Sequence, residues 1–454
     1  MKHIETDYLV IGSGMAGLAF ADTLIDESDA HVTLVDRHGK PGGHWNDAYG
    51  FVTLHQPSAF YGVNSMELGN RRIDTAGLNR GLYELASGPE ISDYFGRVMN
   101  DRLLASGRVA YHPMCNWLGD GEFDSILSAE RTRVTVRRKV VDASYLSPSV
   151  PSTHVPRFAV EPGVRLVPPN ALPELWSGGA QGRVPGKVVI VGAGKTAMDA
   201  IVWLIHAGTS PEAIQWVMPR DSWLINRITT QPGPEFFKEA IGGQADQMEA
   251  FAQATSTEDL FLRLEACGNL LRIDRDRMPT MFHLATISRG EVDLLRGIRH
   301  VIRLGRVQRL SADHMQLDEG RVAVEPDTLF VDCTASAVEP RPLQPIFQGD
   351  RIVLPACAGR LSAGDGREHA QPVPLGPGQG PAAMGAGQPA GWFRQADVGR
   401  RPSGRRKAGH PGALQAAGHG GHGAAVPACR IGAAGLRRWK MPGRNRRVPA
   451  MQAA

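Results

Sequence analysis

The sequence has little of what marks secreted, membrane-spanning or metal-clustered proteins. Its five cysteines, at 115, 267, 333, 357 and 429, are scattered through 454 residues, and no two stand as Cys-x-x-Cys. That pattern excludes a disulfide framework and a redox dithiol, and it suits a reducing, cytoplasmic setting. No metal site is expected. No apolar run approaches the roughly 20 residues that span a bilayer. Residues 1–6 lead straight into an apolar strand, so no cleavable leader is expected. Aromatics are sparse, at 6%, and do not interleave with basic residues, which argues against a nucleic-acid surface. Neither a nucleic-acid nor a membrane partner is expected, and the oligomeric state stays open.

One charge sign is also nearly missing from part of the chain. From Ala358 onward there are 15 Lys/Arg and only 3 Asp/Glu, a net of +12, whereas the first 357 residues carry 35 against 43, a net of −8. The overall +4 therefore averages an acidic body and a basic tail. About a fifth of the tail is glycine and its apolar periodicity is lost, so it is expected to be disordered. Two origins stay open: a working flexible tail for anionic partners, or a shifted reading frame.

What is present is a strand, a glycine turn and a helix, followed by a second strand ending on an acid. Tyr8-Leu9-Val10-Ile11 runs into Gly12-Ser13-Gly14-Met15-Ala16-Gly17, and residues 31–35 lead to Asp36. In this GxGxxG setting Gly12 permits the tight turn, Gly14 lets backbone approach a pyrophosphate, and Gly17 lets helix pack on strand. The helix start offers N–H groups and positive dipole to phosphates. Asp36, 19 residues past Gly17, can accept bonds from ribose hydroxyls. The alternative is a glycine turn that serves packing alone.

The pattern returns at Lys187-Val188-Val189-Ile190-Val191, followed by Gly192-Ala193-Gly194-Lys195-Thr196-Ala197 and an apolar helix. This is GxGxxA. It is not a P-loop despite its Gly-Lys-Thr, because a P-loop needs four residues between its first glycine and that triplet and only Ala193 intervenes. The second strand, residues 213–218, ends in Pro219-Arg220 instead of an acid. A guanidinium binds a 2′-phosphate that a carboxylate would repel, so NADPH is expected here, with Arg220 making the choice, Arg227 in reserve and Lys195 adding charge; an ordinary surface arginine is the alternative for Arg220.

After Asp36 comes Arg37, then Gly42-Gly43-His44-Trp45. The order GxGxxG, acid, GGxW resembles the flavin-containing monooxygenases and the related Baeyer–Villiger monooxygenases, over about residues 7–353. The resemblance implies an α/β fold of two Rossmann-like dinucleotide-binding domains, an FAD domain with an NADPH domain inserted in it. FAD would take Gly12–Gly17, Asp36, Arg37, Gly43, His44 and Trp45, with backbone near Val109 meeting the adenine. NADPH would take Gly192–Ala197 and Arg220. Thr334 and Ala335 resemble the turn by which such chains return to the FAD domain. Gln56 first and His55 second match the polar side chain the family places near the flavin ring, and ordinary loop polarity is the alternative for both. The implied activity passes hydride from NADPH to flavin and then reduces oxygen to oxygenate an organic substrate. A flavin reductase with another acceptor and an inactive nucleotide-binding product are the rivals. The family's FxGxxxH motif is not matched: residues 158–164 read Phe-Ala-Val-Glu-Pro-Gly-Val, with no histidine from there to the second fingerprint. In such proteins a further FAD-domain strand and a helix closing over the flavin follow the strand that residues 327–335 resemble.

The remaining expectations are structural. Residues 91–106 have helical spacing, 107–112 read as a strand, and 133–141 and 301–317 as β-ribbons. Proline punctuates 147–173 as a linker, and 234–299 read as mostly helical. The domains are then 1–185, 186–300, 301–357 and a tail over 358–454.

Overall fold

The computed structural model describes residues 1–145, 148–178, 185–336, 342 and 344–354. The tail expected from 358 lies outside the described residues.

Two sheets, the first mixed around a parallel centre and the second parallel, carry the two glycine turns. The first is built on β1 (Lys2–Ile11), whose last four residues are buried on both faces, as a central parallel strand requires. The chain turns into helix α1 (Met15–Glu27) and returns as β2 (Val32–Val35), parallel to β1 with Tyr8 opposite Val32. Outside β2 lies β3 (Val109–His112), and on the other flank of β1 lies β4 (Arg131–Asp142). The expected ribbon at 133–141 is thus a full strand. It runs parallel to β1 from Thr132 to Asp142, and its start, Arg131–Arg133, also pairs with the hairpin strand Glu122–Ser125. Its arginines do face outward: Arg133 pairs with Glu122, and Arg137 with Asp7 at 3.1 Å.

Residues 91–106 are helical but not one α-helix. Gly88–Arg97 starts at a Ser87/Glu90 capping box and widens into a π-turn over Val98–Leu103. The wider turn keeps Val98, Met99 and Leu103 all in the core with Leu18, Leu24 and Val32.

The second sheet is wholly parallel, in the order β5 (Arg165–Val167), β9 (Leu329–Asp332), β6 (Val188–Val191), β7 (Ile214–Val217), β8 (His300–Ile302). Helix α2 (Lys195–His206) joins β6 to β7 and buries Ala197, Met198, Ile201 and Leu204 against Ile190 and Trp216. Ala159–Val160 and β5 both fall in the stretch expected to be a linker. Their partners are Arg309–Leu310 and residues 329–331, far along the chain, so local periodicity carries no trace of the pairing. The expected mostly helical stretch holds helices Gly243–Gln253, Thr257–Ala266 and Arg289–Leu295, but Met281–Ile287 is a strand beside Ser222–Asn226. Phe282 packs edge-on against Phe261, a core contact.

The chain rejoins the first sheet late, through Phe347–Gln348 and β10 (Arg351–Val353), the latter parallel to β4. Residues 301–332 stay with the second lobe instead of returning at 301. No helix among the described residues is long and apolar enough to cross a membrane, and none of their His, Cys, Asp and Glu side chains group to hold a metal.

Candidate functional site

The first glycine turn is bound to the ends of β1 and β2. Gly12, at φ +102°, occupies the left-handed region, and its N–H donates to Val35 O at 2.8 Å. At Gly17 a Cβ would stand 2.0 Å from Gly12 O, so helix and strand pack backbone against backbone. Gly14 is different: a Cβ there would meet only Gly43, at an ordinary 3.5 Å. Gly42 and Gly43 lie over this turn, with Gly42 N–H donating to Ser13 O at 2.9 Å. Helix α1 starts at Gly14 with no side-chain cap, and Met15 and Ala16 open its first turn half-buried. This cradle fits a dinucleotide pyrophosphate: uncapped first-turn N–H groups beside a glycine whose side is open.

Asp36 is buried, and its carboxylate is already fully engaged. Oδ2 accepts from Ser13 N–H at 2.6 Å and Ser13 Oγ at 2.8 Å, while Oδ1 accepts from His38 N–H at 2.8 Å and meets His38 Nδ1 at 3.0 Å. A carboxylate offers about four lone-pair sites. A ribose hydroxyl reaching it would replace Ser13 Oγ or the His38 ring. The far imidazole nitrogen of His38 meets Asp47 at 3.0 Å. Arg37 is exposed, and Val109 is buried in β3 opposite Val32. Trp45 Nε1 donates to Tyr61 Oη at 2.7 Å, and His44, whose burial lowers its pKa, lies against the Trp45 ring.

The second turn repeats the design. Gly192 has φ +125°, and a Cβ on it would meet Cys333 O at 2.7 Å, so β9 ends hard against the turn. Gly194 faces open space, with nothing within 4 Å of a Cβ, and α2 starts there without a side-chain cap. Ala193 and Thr196 are half-buried, and Ala197 packs in the core where the first turn has Gly17. Thr334 bonds back to Asp332 through N–H and hydroxyl at 2.9 and 2.6 Å, beside half-buried Ala335. Arg220 is half-buried just beyond β7. Arg227 is 1% exposed and paired with Glu291 at 2.6 Å, which leaves it no face for a 2′-phosphate.

Between the turns the structure gathers charges that sequence reasoning did not connect. Lys195 opens α2 and pairs with Asp199 one turn on, and with Glu291 at 3.0 Å. Asp199 Oδ2 also accepts from Tyr49 Oη at 2.8 Å and meets His55 Nε2 at 3.1 Å. Arg227 pairs with Glu291 and donates through Nε to His55 O at 2.8 Å. Burial alone would raise Asp199 and Glu291, but Lys195 first, with His55 on one and Arg227 on the other, holds both well below the usual carboxylate range. Burial would lower Lys195, and the two carboxylates reverse that and raise it. His55 is pushed down, by burial first and then by Lys195. Tyr49 is pushed far up by burial and Asp199. One signal was available in sequence: Asp199 is the sole acid within an otherwise apolar helix, four residues from Lys195. Gln56 follows His55, half-buried. A separate cavity of about 540 Å³, with Glu67, Glu84, Glu90 and Arg72 in its wall, is lined by none of these residues.

Residues 10–65 match a family model described as an NAD(P)-binding Rossmann-like domain. That match spans the first glycine turn, Asp36 and the Gly42–Trp45 loop. Proteins of Mycobacterium bovis and Mycobacterium tuberculosis, both named as uncharacterized, are each 50% identical over 358 residues. The alignment covers 79% of this chain, which spans 65% of the length of those relatives. Among solved structures, a flavin-containing monooxygenase from Stenotrophomonas maltophilia is 15% identical with a TM-score of 0.41, covering 78% of this chain and 86% of that one. Cyclohexanone monooxygenase from Rhodococcus sp. Phi1 bound to NADP+ is 16% identical with a TM-score of 0.42, covering 74% and 72%.

Proposed function

We propose that this chain is an FAD-dependent, NADPH-using oxidoreductase of the monooxygenase type, acting on a small organic substrate. The observation that carries the reading is the presence in one chain of two sheets, each with a run of parallel strands, a glycine turn and an uncapped helix start. FAD would be held at Gly12–Gly17 with Asp36, Gly43, His44 and Trp45 alongside and Val109 toward its adenine. NADPH would be held at Gly192–Ala197, with Arg220 for its 2′-phosphate and Thr334 and Ala335 bordering the turn. FAD, when bound, supplies the two-electron chemistry that takes hydride from a reduced nicotinamide.

The chain's own contributions are binding and placement. Backbone N–H groups at the two helix starts meet phosphate, and the α1 and α2 dipoles favour its charge. Asp36 holds Ser13, and so the shape of the first turn. His55, neutral because burial lowers its pKa, offers the loop between the lobes a group that holds a proton on one ring nitrogen. A second reading, a flavin reductase with an acceptor other than oxygen, is favoured by one observation: residues 158–164 lack the glycine and histidine spacing of FxGxxxH.

The test is the visible spectrum of the purified chain before and after NADPH is added without oxygen. A yellow protein that bleaches supports both sites, and substrate-dependent oxygen uptake then separates monooxygenase from reductase. A colourless protein that FAD cannot reconstitute sinks the reading.

A further inference from the structure

The charges at the junction close on themselves. Asp199 pairs with Lys195, Lys195 with Glu291, Glu291 with Arg227, and Arg227 donates to the carbonyl of His55, whose ring returns to Asp199. Two carboxylates and two cations balance to zero. Their side chains are only 14%, 9%, 11% and 1% exposed, in the order Asp199, Lys195, Glu291, Arg227. The four charged members all come from the second lobe. What they hold belongs to the first: His55 by both ring and carbonyl, Tyr49 by its hydroxyl, and Asn79, whose Oδ1 accepts from Arg227 at 3.1 Å. Ser288, which caps the helix carrying Glu291, donates to Leu78 O at 2.7 Å. Phe51 stacks on Trp203 of α2 at 5.1 Å.

A buried ion network is a poor source of net stability, because desolvation offsets most of its attraction, but it can fix one arrangement where apolar packing would allow several. The ring meets His55 at two separate atoms, so the segment can neither rotate nor slide along α2 without breaking a charged contact. Lys195 and Asp199 lie in the first turns of α2, directly after the second glycine turn, and residues 49–56 follow the Gly42–Trp45 loop that covers the first. The ring is therefore a link between the two turns.

We propose that Asp199, Lys195, Glu291 and Arg227 act as positioning residues that lock the Tyr49–His55 segment of the first lobe onto α2, and thereby set how the two dinucleotide sites face one another. The alignment role rests on the function proposed above, whereas the lock itself does not. It deepens that reading by adding an aligning role, which Lys195 combines with its place in the second glycine turn and the other three residues carry outside it.

The test uses the full chain and two variants, Asp199→Asn and Tyr49→Phe. Hydrogen exchange on the cofactor-free protein is followed at residues 49–56 and at β1. In Asp199→Asn the 49–56 amides should exchange about tenfold faster or more, with β1 unchanged, and in Tyr49→Phe the change should be smaller and of the same direction. FAD affinity should stay within about twofold of wild type while anaerobic bleaching by NADPH slows about tenfold or more. The proposal is overturned if 49–56 exchange at the wild-type rate in both variants. Faster exchange with unslowed bleaching, or bleaching and FAD affinity lost together, overturns the alignment role. If β1 also loosens in Asp199→Asn, Tyr49→Phe decides. If wild type binds no FAD, the oxidoreductase reading and its alignment role fall, and exchange alone decides whether the lock exists.

Discussion

The glycines of the first turn make opposite demands, and substituting alanine at each separates folding from binding. At Gly17 the added methyl would sit 2.0 Å from Gly12 O, 3.1 Å from Gly12 C and 3.3 Å from Ala143 Cβ. Two of these are backbone atoms at the end of β1, which Gly12 N–H ties to β2, so none can step aside cheaply. Relief needs α1 to move by more than 1 Å from a core that holds Leu18, Leu24 and Ile25. Overpacking of this kind costs about 1–3 kcal/mol, and a rigid backbone contact belongs at the upper end. Alanine recovers about 1 kcal/mol in helix propensity, so Gly17→Ala should lose about 2 kcal/mol net. At Gly14 the methyl meets only Gly43 Cα at 3.5 Å, and φ is −74°, an ordinary value. Gly14→Ala should cost about 0.5–1 kcal/mol, the loss of a glycine N-cap, well short of Gly17→Ala, yet it fills the face a pyrophosphate would approach, so flavin binding should fail. Urea denaturation and FAD titration on both variants make the test. A Gly17→Ala protein as stable as wild type would refute the packing argument. A Gly14→Ala protein that takes up FAD normally would refute the placement of the cofactor on this turn.

Asp36→Asn turns one carboxylate oxygen into an NH2 facing Ser13 or His38 donors, so it should cost about 1–3 kcal/mol, read as a lowered urea midpoint; an unchanged midpoint would mean the carboxylate does not order the turn. Arg220→Gln should raise the KM for NADPH about 10- to 100-fold and leave that for NADH nearly unchanged, the scale of a lost charge-assisted contact. Equal effects on both nucleotides would return Arg220 to an ordinary surface role. His44, His55 and His112 all have pKa values lowered chiefly by burial. Below their ordinary value near 6.5 the unfolded chain takes up protons that the fold resists, so stability should fall as pH drops from about 6.5. Asp199 and Glu291 are displaced the opposite way from the usual buried acid: their stabilisation is present above about pH 4.5 and is lost only toward the low values of the folded state. A urea midpoint that does not change between pH 7.5 and 5.5 would contradict the histidine assignment, and His112→Gln should flatten the slope.

Legibility followed the range of the interactions. Both glycine turns could be read in advance because their logic is local: an apolar strand, a left-handed glycine and a helix start within ten residues. Strands Ala159–Val160 and β5 could not, because each is two or three residues long and is defined by partners about 150 residues away. The same holds for Arg227. In sequence it is one arginine near a cofactor motif, a fair candidate for phosphate. In the fold, Glu291 and the His55 carbonyl claim it, and neither lies near it in the chain. In sequence His55 is the second candidate for a polar side chain near the flavin ring, with loop polarity as the alternative, and what sets its environment in the fold is Asp199, 144 residues on.

The same distinction bears on how the chain divides its labour. Residues that would touch cofactor are mostly backbone on short local motifs, so they can be read from spacing and moved as units. Residues that relate one motif to the other are buried side chains drawn from four separate segments, 49–55, 195–199, 227 and 291, and the contacts of the last three with 49–55 exist only once both lobes have folded. A change at Asp199, Glu291 or Arg227 leaves each motif intact by sequence while altering how the motifs face each other. Loss of activity with both cofactors still bound is therefore the signature to look for at Asp199, and loss of one cofactor with the lobes still joined is the signature at Gly14 or Arg220.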